Sequence, residues 1–202
     1  VDVLGNTIGL NAVGNAAIPN TSFGVWVTAG ATGVNIGDGT VNGRNVISGG
    51  NTHGIQISDG SNVVRGNFIG LGSDGVQLLG NAGIGVFITA GTDNIIGGSL
   101  PGEGNIIAGN SAGISLSSAT NKIYGNILGL DASATVARGN NGEGIRLTAN
   151  AVANDIGDGT PAGANTIAGN GADGILLSGL GVTGNAINFN YIGTNVAGDN
   201  LG

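Results

Sequence analysis

The phrase Gly-Asn-x-(Ile/Leu)-Gly stands at Gly5–Gly9, Gly66–Gly70 and Gly125–Gly129, with a weakened copy at Phe189–Gly193. Its asparagines, Asn6, Asn67, Asn126 and Asn190, are 61, 59 and 64 residues apart. A chain that copies itself at a fixed period is built from stacked like units, and this limits the architecture before any single residue is considered.

A second phrase runs at half that period. It is a Gly followed by two branched residues flanking a variable one, beginning at Gly24, Gly54, Gly85, Gly113, Gly144 and Gly174, in steps of 30, 31, 28, 31 and 30. The unit is therefore a coil of about 30 residues, and two slightly different coils alternate to give the longer period. Further Asn-x-Ile segments, with Gly, Asn, Asp and Ser between them, divide each coil into about three short strands joined by tight turns. Short parallel strands without a crossover helix predict a solenoid, each coil stacking on the last at the usual ~4.8 Å. The expected fold is an all-β, right-handed parallel β-helix of six to seven coils, the hand following from the general preference of parallel connections. About six aliphatic side chains per coil are expected inside. Two inner columns are Val25, Ile55, Val86, Ile114, Ile145, Ile175 and Val27, Ile57, Ile88, Leu116, Leu147, Leu177, in which like shapes stack on like.

Composition agrees with this and excludes other classes. Gly contributes 44 of 202 residues without a collagen-like triplet period, and 40% of the chain is hydrophobic, which argues against disorder. The net charge is −7 and the five basic residues are scattered, so nucleic acid is not expected as a partner. No apolar run approaches the roughly 18 residues of a membrane span. The chain has no cysteine, so no disulfide or thiolate site is expected, and export is the favoured compartment. It has no methionine and opens inside a repeat, which reads as a processing boundary. Residues 1–202 read as one repeat domain, either a segment of a longer array or a subunit that associates end to end.

The asparagine columns Asn35/Asn94/Asn154, Asn45/Asn105/Asn165 and Asn62/Asn121/Asn185 are expected at corners between strands. There a stacked amide donates to one neighbouring coil and accepts from the other. On these residues the chain resembles the right-handed β-helix superfamily that includes pectate lyases and polygalacturonases. It resembles more closely the Asn-x-Ile-Ser-Gly-Asn and Gly-Ile-x-Ile repeats of large bacterial and archaeal surface proteins, with Asn45–Gly49 and Gly54–Ile57 the best local match. The resemblance implies the scaffold. It does not carry an activity, because the matching residues are the ones that build the coil.

The motifs of polygalacturonase-like hydrolases, an adjacent Asp pair and an Arg-x-Lys, are missing. Most acids sit in Gly-rich turns, where Asp caps local backbone. Asp38 and Asp158 recur in the same Ile-Gly-Asp-Gly-Thr phrase, too far apart to face one bond. His53, in the turn before a strand, and Arg65, outward beside Val64 and within reach of Asp59 or Asp93, are the two catalytic candidates. No metal or other cofactor is expected, although acidic turns would suit calcium. The outward column of the Gly-x-x-x strand reads Trp26, Gln56, Phe87, Ser115, Arg146, Leu176. Trp26 and Phe87 lie two coils apart, so Trp26, Phe87 and Arg146 are the candidate binding residues, for sugar rings or for a partner. The expected function is a non-catalytic structural or adhesive module of an extracellular or cell-surface protein, such as a stalk, adhesin or fibre subunit. A polysaccharide-active lyase, hydrolase or epimerase and a carbohydrate-binding module without turnover are the alternatives.

Overall fold

The structure is a computed structural model that describes residues 1–201. The chain winds into a parallel β-solenoid of about six turns, with about 30 residues per coil. Three sheets run its length. Sheet A holds seven strands from Asp2–Val3 to Ala186–Ile187, sheet B seven from Thr7–Ile8 to Tyr191–Ile192, and sheet C six from Val25–Val27 to Ile175–Leu177. Every pairing between these strands is parallel and joins a strand to its equivalent one coil away. Among the described residues helix is confined to one 3-10 turn at Pro161–Gly163, and no helix is long and apolar enough to cross a membrane.

The strands of sheets A and B are mostly two residues long, so each points one side chain inward and one outward. Sheet C strands are three residues long and point two inward. A coil therefore buries four aliphatics inside, as with Ile36, Ile47, Ile55 and Ile57, rather than the expected six. Both columns expected inside sheet C are there, in the expected register. In the middle coils these residues are fully buried, while Leu177 in the last sheet C strand is 48% exposed.

A second, smaller core lies on the outside of sheet B. Val46, Phe68 and Ile106, consecutive in its outward column, are buried together with Leu10, Leu71 and Ala108. The cover comes from two sets of excursions that alternate along the solenoid. One set is the small hairpins closed by the bridges Leu10–Ala17, Leu71–Leu78, Leu130–Ala137 and Thr194–Asn200. They also bond to one another two coils apart, Ser73 N–H to Gly14 O and Ala132 N–H to Gly75 O, both at 2.9 Å. The other set is the long turns between sheets A and B, from which Arg44 lays its guanidinium 4.1 Å above the Phe68 ring. Because one coil carries a hairpin and the next a long turn, the repeat is two coils long.

Three asparagine ladders hold the corners. The longest runs Asn6, Asn45, Asn67, Asn105, Asn126, Asn165, Asn190. Asn105 shows the pattern. Its Oδ1 accepts from the backbone N–H and from the Nδ2 of Asn67, at 3.0 and 2.9 Å, and its Nδ2 donates to Asn126 Oδ1 and Val64 O, at 2.9 and 2.8 Å. Each amide so placed satisfies buried backbone that the turn leaves unpaired. The second ladder, Asn62, Asn94, Asn121, Asn154, Asn185, joins two of the expected columns into one. Asn35 is not part of it. It lies one residue further on, in register with Val63, and donates its amide to Asp2; the ladder position in that coil is Val34, whose N–H donates to Asn62 Oδ1. A third ladder, Asn81, Asn110, Asn140, Asn170, was not among the expected columns and holds the corner between sheets B and C. At the end of the organising phrase, Gly70 has φ +91, and a Cβ there would run into the Ala108 carbonyl oxygen.

Candidate functional site

The outer face of sheet C carries an aromatic ridge. Phe23, in the turn before Gly24, packs edge-on against Trp26 with ring centroids 5.2 Å apart. His53, one coil on, stacks on Phe23 at 5.7 Å with the rings 6° from parallel, and meets Phe87 edge-on at 5.0 Å. The four rings thus join three coils in one contact chain, and Trp26 at its end is 55% exposed. Trp26, Gln56 and Phe87 stand in register in the outward column, so the alternation of the strand aims all three at solvent. The sequence reading identified Trp26 and Phe87 but left out Phe23, and placed His53 in a different role.

Of the other outward residues of this face, one is fixed by an ion pair and one is buried. Arg146 forms an ion pair with Glu143 through Nε and Nη2. Burial works against the Glu143 charge, yet the Arg146 hydrogen bond, a backbone hydrogen bond and the Arg146 charge together hold its carboxyl below the usual range. Ser115, between Phe87 and Arg146 in the column, is buried. Beside this column runs a row of hydroxyls, one residue past each strand: Thr28, Ser58, Thr89, Ser117, Thr148 and Ser178. The recurrence is visible in the sequence, at the same 30-residue step as the strands.

His53 is built into the ridge. Its Nδ1 accepts the Ile84 backbone N–H at 2.9 Å, which assigns the proton of the neutral ring to Nε2. Burial pushes its pKa below the ordinary value, because the imidazolium would be poorly solvated there. The other catalytic candidate, Arg65, donates to Glu103 Oε1 at 2.9 Å and to Gly97 O, so its partner is neither Asp59 nor Asp93. Asp59 instead accepts the N–H groups of Gly30 and Gly60, which hold its carboxyl below the usual range.

Several of the remaining acids serve turns. Asp38 and Asp158 each accept the N–H and hydroxyl of the Thr two residues on, and Asp158 also accepts the Ser99 hydroxyl from the turn two coils earlier. Where the aspartate of this phrase is missing, at Gly98, the side chain of Glu103 takes over by accepting Leu100 N–H. No group of three or more His, Asp or Glu suited to a metal ion occurs among the described residues.

A cleft of about 470 Å³ lies on the opposite kind of surface, over Ile106 and Ile127 of sheet B, between the 98–104 turn, Ala162 and Arg44. It is an incompletely filled part of the outer core rather than a part of the ridge. Comparison with protein-family models, curated proteins and solved structures gives no match to this chain.

Proposed function

We propose that this chain is a non-catalytic, adhesive β-solenoid module of an extracellular or cell-surface protein. The observation that carries the reading is the ridge of Phe23, Trp26, His53 and Phe87, standing on the outer face of sheet C with Trp26 open to solvent, on a rod whose repeated aliphatic and asparagine side chains build its core and corners. Exposed aromatic area on a rigid support is what a binding surface needs, since little side-chain freedom is lost on contact. A lyase or hydrolase would require Arg65 or His53 as acid or base. Arg65 is committed to Glu103, and His53 to the Ile84 N–H.

The test uses beads coated with the chain and an extracted extracellular matrix as the target. Adhesion is expected for the unaltered chain, and loss of it for a Phe23→Ala/Trp26→Ala variant that keeps its β-rich circular dichroism. Adhesion that survives the double substitution overturns the reading. So does the appearance of new reducing or unsaturated ends in uronate polymers, if His53→Ala or Arg65→Ala abolishes it.

A further inference from the structure

The ridge is one edge of a longer strip, and the strip has a definite chemistry. Its hydroxyl row is complete: each of the six coils of sheet C places a Ser or Thr there, and none of the six is buried. The four in the middle are held in place. Thr89 Oγ1 donates to Ile57 O at 3.2 Å, so in its 3.0 Å contact with Ser58 it is Ser58 that donates. Ser58 Oγ in turn receives the Trp26 indole N–H at 3.5 Å, which ties the exposed ring to the row. Further along, Ser117 donates to Thr89 O and Thr148 to Leu116 O, both at 3.3 Å. With their protons directed to backbone carbonyls or, for Ser58, along the row to Thr89, the oxygens keep lone pairs for an outside donor.

Charge narrows the partner. The strip's cation, Arg146, is neutralised by Glu143, and the nearby Asp59 carboxylate is held by backbone N–H groups. A polyanion would find no free positive charge on this face and would meet a chain of net charge −7. An uncharged ligand that offers hydroxyl donors at regular intervals and flat apolar ring faces fits both columns.

Resting on the adhesive reading above, we infer that the outer face of sheet C binds a linear neutral polysaccharide lying along the solenoid axis. Sugar rings would stack on Trp26 and Phe87, and their hydroxyls would bond to the Ser/Thr row and Gln56. The stretch from Trp26 to Arg146 crosses four coil spacings, about 19 Å at ~4.8 Å each.

The experiment is affinity electrophoresis of the whole chain in gels containing xylan, galactomannan or a β-glucan, with polygalacturonate and dextran sulfate as anionic arms. Retardation by at least one neutral polymer and by neither anionic one is expected. In solution, the hexasaccharide of that polymer should bind at least tenfold tighter than the disaccharide, because only the longer chain spans the strip. Thr89→Val, nearly isosteric and folded, should weaken binding several-fold, and Trp26→Ala by more than tenfold, while Arg44→Gln over sheet B should change nothing. Retardation by none of the neutral polymers, stronger retardation by an anionic one, or equal binding of short and long oligomers overturns the inference. If bead adhesion still depends on Phe23 and Trp26 in that case, the ligand class is wrong and the adhesive reading stands. If adhesion ignores those residues, both fall.

Discussion

Sheets B and C are made by the same kind of coil, yet their outer faces have opposite fates. Sheet B is flanked at one end by the hairpins and at the other by the long turns, and these fold over Val46, Phe68 and Ile106. Sheet C is entered through the same hairpins in alternate coils, but these lean back over sheet B, where Gly75 meets the Phe68 ring, and its own outward column stays open to solvent at Trp26. The same outward position is therefore a core position on one sheet and a contact position on the other. The side to which the excursions lean, more than strand sequence, decides which.

The sharpest way to break this comparison is to truncate one outward phenylalanine on each sheet. Phe68→Ala removes a nearly buried ring from under Gly75 and Arg44 and should destabilise by about 3–5 kcal/mol, with adhesion unchanged in the fraction that folds. Phe87→Ala takes away one edge contact with His53 and should cost only about 1 kcal/mol, but it should weaken adhesion. Chemical denaturation checks both. Equal losses of stability would show that the two faces do not differ as described.

A smaller effect separates the corners from the faces. Asn105→Ala leaves the Asn67 N–H and one of the two protons of its amide without an acceptor in the interior, and takes one donor from the Val64 carbonyl. With each buried orphan worth ~1–3 kcal/mol and partial relaxation, a loss of about 3 kcal/mol is expected. Asn190→Ala, at the last rung of the same ladder and partly open to water, should cost about 1 kcal/mol. Comparable losses would mean that the ladder is not a chain of buried bonds. Neither substitution should alter adhesion, since neither touches the face of sheet C.

The fold was legible because the sequence writes it out repeatedly. Val25 to Ile175 could be placed in one inner column, since a parallel sheet puts each residue on its equivalent. The outer core was not legible. In a two-residue strand such as Phe68–Ile69, both side chains are apolar, and nothing local says that the first is covered by a hairpin tip 7 residues later, at Gly75. Asn35 misled for a related reason. It matches the ladder phrase by type and differs from it by one residue of register, which only the pairing with Val63 settles. At the candidate site, alternation exposed Trp26 and Phe87, whereas the contacts of Phe23 and His53 depend on turn geometry. The hydroxyl row stands in the sequence at the coil period, but Ser and Thr are also common in turns, and only the register of sheet C sets these six in one column.

The smallest effect expected is also the one that reads the ridge alone. His53 is the only histidine, and its folded-state pKa lies below the ordinary 6.5 because burial disfavours the imidazolium. Between those two values the unfolded chain binds more protons than the folded one, so stability falls as the pH drops. The contribution is complete above about pH 7, declines below 6.5 and levels off beneath the folded-state pKa. A separate acid loss follows below 3.8, where Asp38, Asp59, Asp74, Asp131 and Asp158, all held below that value in the fold, take up protons. Protonation also sets an Nδ1–H against the Ile84 N–H, so the ring must turn off Phe23, and the ridge loses its middle. Trp26, the only tryptophan, reports this directly through its emission. A change in emission and a weakening of adhesion with one shared midpoint below 6.5 are expected, and His53→Gln should abolish both. Phe68→Ala, on the covered sheet, should lower the whole stability curve without changing its shape. A flat emission profile from pH 7 down to the carboxylate range would mean that the imidazole is not the joint between the Phe23–Trp26 pair and Phe87.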